Sequence, residues 1–179
     1  MVCFVLGSYV FLSACSEKEE TSTQKTVVID QLAPKYESTL AEGIDFKKPG
    51  YPSFLTDVSG VSSREDWGRW TDANIGPVVV FRFNKPLPKK FILELQANAI
   101  GQNVGQPIKV HVGNIENNIV VKNWPDETIY QITFDQTHIA DSIEINPPSP
   151  FSAAESDPKG TDTRMLGLGL IALKIKTID

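Results

Sequence analysis

Residues 91–99 read Phe-Ile-Leu-Glu-Leu-Gln-Ala-Asn-Ala, and their alternation decides the fold. Phe91, Leu93, Leu95, Ala97 and Ala99 share one parity, while Ile92, Glu94, Gln96 and Asn98 hold the other. That is the pattern of a strand with one face in a core and one turned outward. On the N-terminal side, Val79, Phe81 and Phe83 alternate with Val78, Val80 and Arg82. On the C-terminal side, Ile108, Val110 and Val112 alternate with Lys109 and His111. Gly113-Asn114 then predicts a hairpin turn into Ile119 and Val121. Tyr130, Ile132 and Phe134 form another inward set, followed by Ile143 and Ile145. Leu166–Ile175 is apolar on both parities, which predicts a central strand or a bulge at Gly167 or Gly169. No window carries a capped i, i+3, i+4, i+7 stripe.

Short strands separated by turns predict an all-β, jelly-roll-like antiparallel β-sandwich. Gly and Pro, 12 each, supply the turns. The 179 residues fit one domain, expected over 26–179. A hydrophobic fraction of 41% is enough for a real core. The net charge of -5 argues against nucleic acid or an anionic membrane surface as main partner.

The first 15 residues, M-V-C-F-V-L-G-S-Y-V-F-L-S-A-C, form an apolar run that ends in small residues and a cysteine. The run is shorter than the about 20 residues a transmembrane helix needs, so it reads as a signal segment. Leu12-Ser13-Ala14-Cys15 is similar to the bacterial lipobox, which implies acylation of Cys15 and a mature chain starting there. No Lys or Arg precedes the run, a departure from the usual signal pattern. Residues 16–25, S-E-K-E-E-T-S-T-Q-K, are all polar and predict a disordered tether. Ser16 behind the cysteine points to the outer membrane, with the domain facing the periplasm or the cell surface. Cys3 leaves with the leader, so the mature chain is expected to hold no disulfide and no thiolate metal site.

Three loops concentrate the remaining polar and aromatic residues: 60–76, 100–107 and 146–164. A sugar ring presents an apolar C–H face that stacks on an indole and hydroxyls that pair with amides, carboxylates and guanidinium groups. Trp67, Arg69, Trp70, Asp72 and Asn74 on the first loop meet that description. Gln102 and Asn103 on the second, with Asp162 and Arg164 on the third, could converge with them. Each also has a bracing role open to it. A sandwich Trp can plug the core, and Arg69 or Arg164 can pair with Asp72 or Asp162 to pin loops. Trp67 and Trp70 are three apart, so in an extended segment they would face opposite ways, one buried and one exposed. Trp124, ahead of Pro125, is a candidate exposed platform.

Catalytic equipment is not evident. The two histidines, His111 and His138, make no H-x-H or H-E-x-x-H spacing, and G-x-S-x-G and glycine-rich phosphate loops are missing. Glu65-Asp66 reads as a solvated pair on a polar loop. The expectation is a non-catalytic module without metal or cofactor.

Four motifs in order carry a resemblance: W-G-R-W-T-D-A-N (67–74), P-L-P-K-K-F-I-L (86–93), I-G-Q-N-V-G-Q-P (100–107) and D-T-R-M-L-G-L-G-L (162–170). Between about Ile44 and Ile175 the chain resembles the C-terminal domain of phosphoglycerol transferase I-type envelope proteins. In that family the chemistry belongs to a separate, metal-dependent, alkaline-phosphatase-like domain, and nothing in this chain resembles it. The resemblance therefore implies an accessory β-sandwich in an envelope-polysaccharide setting. Two readings follow, a lipid-tethered module that binds a periplasmic or surface glycan, and a structural or protein-interaction lipoprotein whose motifs only brace the sandwich.

Overall fold

The computed structural model describes residues 35–123, 128–152, 154 and 159–178. The leader, Cys15, the 16–25 tether and Trp124 lie outside the described residues.

Two five-stranded sheets face each other. The first contains β2 (Ile44–Asp45), β5 (Arg69–Asp72), β7 (Lys90–Ala99), β10 (Ile129–Asp135) and β12 (Leu166–Thr177). Its order is β10-β7-β12-β2, with β5 also on β12. The second contains β4 (Leu55–Ser59), β6 (Val79–Phe83), β8 (Pro107–Val112), β9 (Ile115–Val120) and β11 (Ser142–Asn146). Its order is β4-β6-β11-β8-β9. A short parallel pair, β1 (Lys35–Tyr36) and β3 (Tyr51–Pro52), stands apart from both. The pairings within the two large sheets are antiparallel.

The core follows the period-two reading. Phe91, Leu93, Leu95, Ala97 and Ala99 are all fully buried, and they meet Val79, Phe81, Val110, Ile143 and Ile145 from the opposite sheet in one cluster. Phe46 and Phe81 close that contact at 5.7 Å between ring centres. The Gly113-Asn114 hairpin joins β8 to β9 in register, Val112 opposite Ile115, with Gly113 at φ 57°.

β12 is central, as its two-sided apolarity predicts. One edge pairs with β7 along its length, while β5 and β2 share the other edge. Its register against β7 shifts between Leu170 and Ala172, so the irregularity centres on Ile171 and not on a glycine. The shift moves the inward parity from Leu168 and Leu170 to Leu173 and Ile175. A second shift, against β5, falls between Leu166 and Gly169. That second shift takes in Gly167, where a bulge was expected, and both glycines also serve the outer face. A Cβ on Gly167 would lie 2.7 Å from Pro147, and one on Gly169 would lie 2.9 Å from Trp67.

Candidate functional site

The three loops meet. Asn103 is fully buried, donates to the Ser149 carbonyl at 2.7 Å and accepts from the Ser149 amide at 2.9 Å. That ties the second loop to the third, and Gly101 packs directly under the Phe151 ring. Asp72, 4% exposed, accepts from the Asn74 and Met165 amides through Oδ1, while Asn74 donates to the Thr163 carbonyl. Those bonds tie the first loop to the third.

Arginines complete the bracing. Arg69 is 2% exposed, directs its guanidinium at the carbonyls of Ser62, Lys48 and Gly50, and lies 4.6 Å from the centre of the Tyr51 ring. Arg164 holds Asp162 through two parallel bonds, Nε to Oδ1 at 3.0 Å and Nη2 to Oδ2 at 2.7 Å. Its Nη1 donates to Glu65 at 2.8 Å, and the other Glu65 oxygen accepts from Trp67 Nε1 at 2.8 Å. Planar bidentate pairing of this kind fixes geometry as well as charge. Of the nine candidate residues, Gln102 stands exposed without a role in this network.

Trp70 is buried and Trp67 half-buried, yet the two indoles do not face opposite ways. Their ring centres are 4.8 Å apart at 67°, an edge-to-face contact. Alternation fails here because Trp67 precedes the strand. Glu65 and Gly68 exchange backbone hydrogen bonds in a tight turn, which swings Trp67 back over Trp70.

A network of this kind should show in acid. The Arg164 hydrogen bonds hold the Asp162 carboxyl below its ordinary range. A depressed carboxyl pKa adds stability that is complete above the unfolded value, about 3.9, and is lost as pH falls through the folded one. Thermal melts of the wild type and Arg164→Ala should therefore differ by a constant gap above about pH 5 that closes toward pH 2. The gap should be modest, since both side chains are about one-third exposed (32% and 34%) and water screens them. A gap unchanged at pH 2 would remove the pair from the account of acid stability.

The open chemistry lies beside these loops, on the outer face of the first sheet. A cleft of about 450 Å³ is lined by Tyr36, Asp45, Lys47, Gln96, Ala172 and Lys174 among others. Gln96 projects from β7 opposite Ala172 of β12, whose small side chain leaves the floor low. The Tyr36 hydroxyl accepts from the Asp45 amide at 3.1 Å, and burial raises its pKa, so it is a neutral phenol. Lys48 caps the Tyr36 ring at 4.9 Å. Glu42 is occupied at the rim, where it accepts from the Thr39 amide and hydroxyl. Along β7, Asn98 follows Gln96 by one pleat, about 7 Å, and Trp67 sits over Gly169 beside it. One face thus runs from an indole to a cleft bearing amide, phenol, carboxylate and ammonium groups.

Sequence reasoning missed this cleft. Gln96 and Lys174 occupy outward strand positions that look like ordinary solvated sites. The available signal was the run of small residues Gly167, Gly169 and Ala172 on a central strand, facing the mid-strand amides Gln96 and Asn98. Among the described residues no group of three or more His, Cys, Asp or Glu is placed to hold a metal ion.

A family described as "Domain of unknown function (DUF7024)" matches residues 29–177. The chain belongs to that family. This DUF7024 chain is also 38% identical over 135 residues to proteins named phosphoglycerol transferase I from Escherichia coli and Shigella boydii. The match covers 75% of this chain but 17% of each relative, so the chain spans about a sixth of their length. That agrees with the resemblance carried by the four motifs and with an accessory domain of that family. Among solved structures, a mutant of a carbohydrate binding module family 29 superimposes with a TM-score of 0.50 at 14% identity. It covers 75% of this chain and 89% of that one. At that identity the likeness is one of fold, a β-sandwich.

Proposed function

We propose that this DUF7024 domain is a non-catalytic carbohydrate-binding module of the bacterial cell envelope, anchored through a lipidated Cys15 at the outer membrane. The outer-face cleft carries the reading. Its volume lies within the roughly 300–1,000 Å³ of small-molecule sites, and its groups suit hydroxyls: a Gln amide, a neutral phenol, carboxylates and ammonium ends. Trp67 supplies an apolar plane at one end of the same face, where the C–H side of a pyranose can stack. The sandwich fold is also that of a carbohydrate binding module. Of the loop residues, Trp67 belongs to this site, and Arg69, Trp70, Asp72, Asn74, Asn103, Asp162 and Arg164 hold its shape.

A shallow site for a neutral sugar leaves many hydroxyls in water, so affinity should be millimolar to micromolar, about 4–8 kcal/mol. The test is calorimetry of the full-length protein in a detergent without sugar headgroups, titrated with gluco-oligosaccharides and peptidoglycan fragments. Gln96→Ala should weaken the binding of any ligand found, by about tenfold, as expected for a lost hydrogen-bonding group, with unchanged stability. If no glycan binds at high millimolar concentration, the carbohydrate reading falls.

The closed Glu65–Arg164–Asp162 set and the Asn103 latch favour the second reading, a structural or protein-interaction lipoprotein. Both readings share the anchor. Mass spectrometry of the membrane form should find an acylated peptide beginning at Cys15, because stable anchoring takes more than one acyl chain. Cys15→Ala should leave the membrane fraction in a high-salt wash, and a variant that stays there would exclude the anchor.

A further inference from the structure

Asn98 is the anomaly of the outer face. It is 0% exposed, yet neither Nδ2 nor Oδ1 has a hydrogen-bond partner. An amide carries two donors and an acceptor with two lone pairs, and burying them unmet is unfavourable. An apolar side chain of similar size would cost less at such a position. Its surroundings are specific. Asn98 stands opposite Gly169, and Gly169 in turn stands opposite Trp70. A Cβ on Gly169 would fall 2.4 Å from Asn98 Oδ1, 2.9 Å from Trp67 Cζ3 and 3.0 Å from Trp67 Cη2. Amide, bare backbone and indole edge therefore converge on one point.

We propose that Asn98 is a buried recognition group for a vicinal diol of a neutral pyranose, in a subsite that Trp67 covers until the sugar displaces it. The inference rests on the carbohydrate reading and places a subsite one pleat beyond the Gln96 cleft. Adjacent hydroxyls match the amide: one donates to Oδ1 while its neighbour accepts from Nδ2. Glycine at 169 leaves the floor low enough for either the indole edge or a sugar ring. For the sugar to enter, Trp67 must give up its edge contact with Trp70 and its bond to Glu65. It is half-buried, belongs to the 65–68 turn and not to β5, and is tethered through Nε1 to Glu65, itself held by Arg164. Its displacement returns hydrogen bonds to Asn98, which offsets part of the opening, and the freed ring can stack on the sugar that replaces it.

The test uses the full-length protein in a polyoxyethylene detergent. The probes are cellohexaose, laminarihexaose and a β-1,2-linked glucohexaose, with calorimetry, thermal melts and the side-chain amide NMR signals of Gln96 and Asn98 as readouts. A bound oligosaccharide should shift the Asn98 amide pair and the Trp67 indole N–H. Asn98→Leu should lose about tenfold or more in affinity, the scale of a removed hydrogen-bonding group, and melt no lower than wild type. A sugar that moves Gln96 but leaves the Asn98 signals unmoved at saturation overturns the subsite alone. So does an Asn98→Leu protein that melts well below wild type, since that would make the amide structural. If none of the probes shifts either amide, the carbohydrate reading of the whole face fails together with the subsite.

Discussion

Phe91→Ala should remove about 3–5 kcal/mol of folding stability, the range for an aromatic taken out of a packed core. Phe91 is fully buried at the start of β7, opposite Phe134 on β10 and Thr177 on β12. Its ring stacks on Phe134 at 5.3 Å and 26°. Whole domains are stable by only about 5–15 kcal/mol, so this one substitution takes a large fraction of the total. The ring pair adds a coupling of about 0.5–1.5 kcal/mol, which a double-mutant cycle with Phe134→Ala should recover. Thr133→Ala, one residue away on the exposed face of β10, should stay within about 0.5 kcal/mol. Urea unfolding curves of the variants decide the matter. Comparable losses at Phe91 and Thr133 would mean that the two faces have been exchanged.

That contrast also marks how far the sequence could be read. Where one sheet face is buried, a one-residue slip turns every side chain over, so alternation specifies register strongly. Phe91 to Ala99, Val79 to Phe83 and the β8–β9 hairpin were legible for that reason. β12 was legible as central and as irregular near Gly167, where its register against β5 shifts. Its shift against β7 falls at Ile171, and nothing local marks that residue as the extra one, because that shift is set by pairing across more than seventy residues.

The site was legible in parts. The loops 60–76, 100–107 and 146–164 stood out by composition, and they do contact one another. What composition could not tell is whether Arg164, Asp72 and Asn103 point at each other or at a ligand, since the same groups serve both ends. The partners are distant in sequence: Arg164 finds Glu65, and Asn103 finds Ser149. Asn98 shows the converse. Its parity placed it outward, which is correct, but outward is not solvated when a turn folds Trp67 over a glycine. Strand periodicity reports the face of a sheet and is silent on what crosses that face.

Gly43→Ala carries the other large expected effect, and it joins fold to function. Gly43 sits immediately before β2 at φ 82°, a left-handed conformation that costs a residue with a side chain about 1–2 kcal/mol. A Cβ there would also lie 2.1 Å from the Leu173 carbonyl oxygen and 2.8 Å from Lys174 Cγ. The lysine can swing away. The carbonyl cannot, because it belongs to the central strand β12, so β2 must withdraw. With overpacking at about 1–3 kcal/mol, the combined loss is about 2–5 kcal/mol. Withdrawal also pulls at Ile44, 1% exposed and opposite Leu173, and at Asp45 on the wall of the cleft. Glycan affinity should then fall along with stability, although residue 43 offers a ligand no side chain. Gly105→Ala is the matched control. Gly105 is at φ 74° with open space where its Cβ would go, so only the conformational part, about 1–2 kcal/mol, applies. Urea midpoints of the two variants separate strain from collision. Equal losses would show that β2 gives way freely, and the cleft wall would then have to be regarded as soft.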